Sequence, residues 1–160
     1  MTHTKQYQKF LLAVGEFIIE YSKAEINCAL LVNLMTQSDR GIDIYRTSPN
    51  AEQKLLEYRK AIRGVEHPSK NAFAEMLERL DVCRVDRNLI AHSVWRNTIS
   101  FESKDFHSIR YNRNGKTFDY KKLTTFQSEE LSQKMKKLSE DILLEITEIV
   151  ILKKGEIHKG

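Results

Sequence analysis

The sequence predicts an all-α fold: an antiparallel bundle of about four helices, with a small β-hairpin insert between the third and last helices. Three observations carry this expectation. Two long stretches, one near each end, keep apolar residues at alternating spacings of four and three, the period of a helix with one buried seam. Breakers are scarce, with two prolines and six glycines in 160 residues, while Leu, Ile, Glu and Lys are plentiful. Between the third and last helical stretches the apolar period drops to two around Asn114-Gly115, a strong hairpin-turn pair.

Residues 5–36 predict one long helix, with Phe10, Val14, Phe17, Tyr21, Ala24, Cys28, Leu31 and Met35 as its seam. A second row (Leu11, Ile18, Ile26 and Ala29) lies beside the seam, so burial over a broad arc is expected. Glu25 falls between the two rows. A carboxylate there requires a partner, because an unpaired buried charge is costly. Residues 37–50 are expected to form a loop, entered at Asp39-Arg40-Gly41 and closed by Ser48-Pro49-Asn50. A second helix over 51–64 turns Leu55, Leu56, Tyr58 and Ile62 inward, and Gly64 with His67-Pro68-Ser69 breaks it.

The third helix is expected from Ser69 to about Trp95. Phe73, Met76, Leu77, Leu80, Cys83, Ala91, Val94 and Trp95 share one face, and Arg87 projects into the middle of it. Val82, Val85 and Leu89 make a second apolar strip on another side, with Asn88 and His92 at its border. Two strips imply two partners, the chain's own core and a second subunit. Segment 97–121 then alternates through Ile99 and Phe101, Ile109 and Tyr111, Phe118 and Tyr120, as a hairpin or three-stranded flap does. Thr124 and Gln127 match a capping box for the last helix, and Glu129 and Glu130 suit its first turn. Leu131, Met135, Leu138, Ile142, Ile149 and Leu152 carry that helix to about residue 152. Lys153-Lys154-Gly155 is expected to end it, so residues 1–152 form a single domain and 153–160 a flexible tail.

Several function classes lose their basis. No apolar run is long enough for a transmembrane helix, and the polar start Met1-Thr2-His3-Thr4-Lys5 has no signal-peptide pattern, so a cytoplasmic protein is expected. Cys28 and Cys83 are far apart on apolar faces, as reduced core cysteines are. The glycines are isolated, so no phosphate loop forms, and the five histidines are scattered without cysteine partners, so no metal site and no cofactor is expected. The net charge of +4 is modest but concentrated: residues 96–122 hold seven Lys/Arg against three acids. Within and beside that segment, Arg84, Arg96, Arg110, Arg113 and Lys116 are candidate RNA contacts, interleaved with aromatics that can stack on bases. The alternative is a solvated charged face over inward-packed aromatics.

One polar set remains, Arg87-Asn88-(Leu-Ile-Ala)-His92. Asn88 and His92 are four apart and share a helix face. An imidazole, titrating ordinarily near pH 6.5 (about), can take a proton from a ribose 2′-hydroxyl. A guanidinium can hold a phosphate by two parallel hydrogen bonds and stabilise the charge that develops on it. On spacing alone a structural role competes with this, in which Arg87 pairs with Glu25 and His92 caps carbonyls.

The stretch Arg87-Asn88-Leu89-Ile90-Ala91-His92 resembles the signature of the HEPN superfamily: an arginine, a polar residue and, a few positions on, a histidine. The order of elements is similar too, from a long first helix containing Glu20-Tyr21-Ser22-Lys23-Ala24-Glu25, through the signature helix and an insert, to a final long helix. The resemblance implies an all-α homodimer in which the two signature helices meet. It also implies metal-independent endoribonuclease activity, as in toxin–antitoxin or antiviral defence systems. Arg87 and His92 would be catalytic and Asn88 the supporting polar residue. Cleavage would proceed by attack of the 2′-hydroxyl, leaving a cyclic phosphate. The other possibility it carries is a non-catalytic module that binds RNA, a nucleotide or a protein, such as an antitoxin of nucleotidyltransferase type.

Overall fold

The computed structural model describes residues 3–92, 94–97, 105–112 and 117–157, with side chains over 5–91 and 123–152. It is mostly helical. Helix α1 (His3–Thr36) buries its four-three seam almost completely: Phe10, Phe17, Ala24, Cys28 and Leu31 are fully enclosed and Tyr21 and Met35 nearly so. Against it lie α3 (Ala51–Ile62), α4 (Lys70–His92) and, along the greatest length, α5 (Thr125–Ile157). The core they share includes Leu55 and Tyr58 from α3, Phe73, Leu77 and Leu80 from α4, and Met135, Leu138 and Ile142 from α5. Each large apolar side chain enclosed this way contributes about 1.5–3 kcal/mol. Cys28 and Cys83 are free and buried within it.

The N-terminus of α5 is set by the capping box. The Gln127 backbone N–H donates to Thr124 Oγ1 at 3.1 Å, and the Thr124 N–H donates to Gln127 Oε1 at 2.9 Å. Two helix-end donors are thus satisfied reciprocally. Strands β1 (Val94–Asn97), β2 (Asp105–Asn112) and β3 (Thr117–Thr124) precede this box and pair antiparallel in the order β1-β2-β3. Val94 lies opposite Ile109, and Ile109 opposite Tyr120. Leu123 pins the last strand to the helices by packing on Phe10. The expected turn at Asn114-Gly115 lies outside the described residues, as do Ile99 and Phe101.

Residues 37–50 are not the loop that was expected. They hold a short helix, α2 (Arg40–Thr47), whose N-terminus is capped from eight residues away. Asn33 Oδ1, on α1, accepts from the Gly41 N–H at 2.6 Å and from the Ile42 N–H at 3.2 Å. The chain reverses just before this through Gln37, whose φ of 52° is left-handed, while the Ser38 N–H donates to the Asn33 carbonyl at 3.2 Å. That is the hydrogen-bond pattern of a helix ending that usually places glycine at the left-handed position. No glycine or side-chain cap at Asp39 announces it, so local sequence signals miss α2.

Six other expectations shift. Leu56 of α3, expected inward, is exposed, and so is Leu152, the last residue of the expected α5 row. Helix α4 stops at His92, and Val94 and Trp95 belong to β1, because sheet pairing suits a β-branched and an aromatic residue better than a frayed helix end. On α4, Ile90 is buried and Ala91 exposed, the reverse of the expected inward face. The second row on α1 divides: Ala29 is buried near Gly41 of α2 and Ile18 packs at the core's margin, but Leu11 and Ile26 face outward. Helix α5 runs through Lys153-Lys154-Gly155 to Ile157, since one helical glycine costs only about 1 kcal/mol. Among the described residues no helix is long and apolar enough to cross a membrane.

Helix α2 can sit so close to α1 only because residue 41 has no side chain: a Cβ there would overlap the carbonyl oxygen of Ala29. Gly41→Ala is therefore expected to lower stability by about 1–3 kcal/mol, as overpacking does. Gly15→Ala, in mid-α1 with open space around the added atom, should instead raise stability by about 0.5–1 kcal/mol. Urea unfolding of the two variants beside the parent checks the opposite signs.

Candidate functional site

The buried side of α4, through Leu77, Leu80 and Ile90, fixes the helix in the core. This orients the flank carrying Arg84, Arg87 and Asn88 toward Glu25 of α1 and the N-terminus of α3. Between these elements lies a polar pocket of about 400 Å³. The α3 end of it is built by Pro49 and Asn50. Asn50 is the N-cap, its Oδ1 accepting from the Gln53 N–H at 2.9 Å and its carbonyl from the Lys54 N–H at 3.1 Å. The positive end of the helix dipole thus opens on the pocket.

Glu25, only 8% exposed, has the partner its position requires, but that partner is Lys54 and not Arg87. Lys54 Nζ lies 3.3 Å from Glu25 Oε2 and 4.3 Å from the centroid of the Tyr45 ring. One ammonium thereby joins α1, α2 and α3. The buried Tyr21 phenol is pushed far above its ordinary range, first by burial and then by the nearby Glu25 carboxylate.

The second pairing runs along the α3–α4 seam. Arg84 Nε donates to Asp81 Oδ1 at 2.7 Å, Arg59 reaches the other Asp81 oxygen at 3.4 Å, and Arg84 Nη1 is 3.5 Å from Glu52, itself a well-exposed side chain. Burial pushes the Asp81 carboxyl up, but the hydrogen bond from Arg84, followed by that from Arg59, outweighs it and holds the group below its usual range.

Arg87 stands apart from both pairings. Its Nη1 donates to Asn88 Oδ1 at 3.1 Å, and its guanidinium carbon sits 5.8 Å from the centroid of the Tyr21 ring. Its Nε is enclosed yet lacks a hydrogen-bond partner, and among the described residues no carboxylate pairs with it. Arg87 thus lines the pocket half-buried, with one enclosed guanidinium donor left without an acceptor among the described residues. The backbone of His92 is the last residue of α4, one turn beyond Asn88; its side chain lies outside the described residues.

Of the candidate RNA contacts, Arg84 lines the pocket. Arg96 is on β1 opposite His107, and Arg110 on β2 opposite Asp119, both away in sequence and element from the pocket-lining residues. Arg113 and Lys116 lie outside the described residues. Lys54, Asn50 and Glu52 were missed from the sequence. The Ser-Pro-Asn run before an apolar helix is a legible N-cap signal, but nothing local marks Lys54 as the partner of Glu25. No family model, no curated protein and no solved structure matches this chain.

Removing Lys54 alone leaves Glu25 charged, buried and unpaired. Lys54→Met is expected to cost about 3 kcal/mol, whereas the double change Glu25→Leu with Lys54→Met should recover most of that loss. A double-mutant cycle by urea denaturation measures the coupling.

Proposed function

We propose that this chain is a HEPN-type, metal-independent endoribonuclease that works as a homodimer in a toxin–antitoxin or antiphage defence setting, with Arg87, Asn88 and His92 as its working residues. The observation that supports this most is the state of Arg87. A structural arginine in this position would be neutralised by Glu25, yet Glu25 is held by Lys54, and Arg87 lines the pocket without a carboxylate partner among the described residues, its enclosed Nε–H lacking an acceptor. The resemblance of the Arg87–His92 stretch to the superfamily signature supplies the chemistry.

In that chemistry the His92 imidazole removes the proton of a ribose 2′-hydroxyl, and the oxygen attacks the adjacent phosphorus. The bond to the 5′-oxygen breaks, and an imidazolium returns a proton to that leaving group. The products are a 2′,3′-cyclic phosphate and a 5′-hydroxyl end. Arg87 offers its fork to the non-bridging phosphate oxygens as charge grows on them. Asn88, its carbonyl oxygen already engaged by Arg87, keeps its amide N–H groups to donate to the phosphate or to orient the imidazole.

A dimer is favoured by the other side of α4. Val82 and Val85 are 67% and 58% exposed, and Leu89 is half-buried beside them. This apolar strip adjoins the helical positions of Asn88 and His92, so pairing α4 with its copy would bury the strip and bring two sets of polar residues to one cleft. The helices α1, α3, α4 and α5 would then be the bundle, and the strands its insert.

Two outcomes are expected. Incubated with total RNA in EDTA, the wild type cleaves and His92→Ala does not, although both sediment alike; activity in His92→Ala, or a requirement for added metal, ends the assignment. Val85→Lys, which places a charge on the exposed strip without touching the core, shifts the protein to monomer in analytical ultracentrifugation and abolishes cleavage with it. A Val85→Lys protein that stays dimeric removes this face from the interface.

A further inference from the structure

The charges around the pocket do not balance. Lys54 is matched by Glu25, and Arg59 and Arg84 share Asp81 and Glu52, so of the three cations that line the pocket Arg87 has no carboxylate partner among the described residues. The walls add neutral donors of the right kind, the Asn88 amide and the end of α3, to a cavity whose volume of about 400 Å³ is within the range of small-ligand sites. Of the two carboxylates that line the pocket, Glu25 is buried and Glu52 is exposed. The latter is 75% exposed and meets Arg84 at 3.5 Å, a loose contact, whereas Asp81 holds the same guanidinium at 2.7 Å. An oxyanion arriving from solvent can displace Glu52 from Arg84 and still leave Arg84 anchored by Asp81.

We propose that this pocket is a phosphodiester-binding site for single-stranded nucleic acid, in which Arg87 and Arg84 both hold one backbone phosphate and Glu52 is a built-in competitor that the phosphate displaces. The proposal deepens the ribonuclease reading and shares Arg87 with it. It gives Arg84, already a candidate RNA contact, a direct hold on the same phosphate, and adds Glu52 as a residue that weakens binding. A single negative charge is what the pocket can neutralise, so the site favours the diester of a strand over a free dianionic phosphate. It takes its anion from inside one subunit, on the α1–α3 side of α4, and thus has no need of the second copy.

The test uses the full chain and a non-cleavable probe, a short oligodeoxyuridylate lacking the 2′-hydroxyl, with inorganic phosphate as the comparison anion. With nitrogen-15 in the arginines, the Arg87 Nε–H signal, identified by its loss in Arg87→Lys, is expected to move as the oligonucleotide saturates. Phosphate at the same concentration moves it less. Removing the Arg84 fork with Arg84→Gln should weaken binding about tenfold or more, the loss of a charge-assisted hydrogen bond. Glu52→Gln, at an exposed position that leaves folding intact, should tighten binding severalfold. An Arg87 Nε–H signal that ignores saturating probe, or affinity unchanged by Glu52→Gln and Arg84→Gln, overturns the proposal. Binding of this kind by a protein that never cuts RNA leaves the pocket standing and removes the nuclease reading. Cleavage by a protein whose Arg87 signal does not respond to the probe does the opposite.

Discussion

The arrangement depends first on one buried ion pair. Glu25 lies on the inward side of the longest core helix, where a lone carboxylate would be strongly disfavoured, and Lys54 neutralises it from α3 while resting its charge on the Tyr45 ring of α2. Three helices are therefore registered by a single ammonium. Such a pair adds little net stability compared with apolar packing, since both ions are stripped of water, but it is unforgiving about position. Fixing Lys54 fixes the N-terminus of α3, and this in turn sets the distance from Asn50 to the α4 flank. The pocket is a consequence of that registration. So is the condition of Arg87, which faces a carboxylate already in use.

The parts of the fold that were legible in the sequence are those governed by local rules. The α1 seam from Phe10 to Met35 and the α5 row from Leu131 to Ile149 follow helical spacing, and Thr124 with Gln127 cap as their residue types require. What escaped was settled by contacts distant in sequence. Helix α2 is capped by Asn33 and accommodated by the missing Cβ of Gly41, and its lead-in uses Gln37 in a conformation for which glycine is the usual signal. Trp95 continues the helical period of α4 but is drawn into β1 by its pairing with β2. Periodicity also cannot say which of two apolar rows is the buried one: Leu11 and Ile26 satisfy it and still face outward.

The site was half legible. Arg87 and Asn88 stood out as polar residues in an apolar helix, and the structure brings both to one pocket wall. Glu25 was recognisable as a group in need of a partner, and it lies at the same pocket. The partner itself could not be read, because Lys54 lies in a helix that also carries Glu52, Glu57, Arg59 and Lys60, and nothing distinguishes it from these neighbours. Arg84 was singled out as a candidate RNA contact, but its pairing was not legible: its tie to Asp81 looks like an ordinary helix-surface pair until Arg59 and Glu52 are seen to extend it across the α3–α4 seam.

The division of labour between lysine and arginine follows from their chemistry. A lysine ammonium is a compact point charge with three donors, so it suits a closed pair with the single carboxylate of Glu25. A guanidinium stays charged throughout the physiological range without help and offers a flat array of donors, so it alone can stand unpaired on a pocket wall and remain ready for an anion. Exchanging the two residue types would defeat both purposes. Lysine at position 87 would bring a point charge with no fork, and arginine at position 54 would need more acceptors than the single carboxylate of Glu25 supplies. Arg87 lines the same pocket as Glu25, and it is Lys54, not Arg87, that Glu25 pairs with.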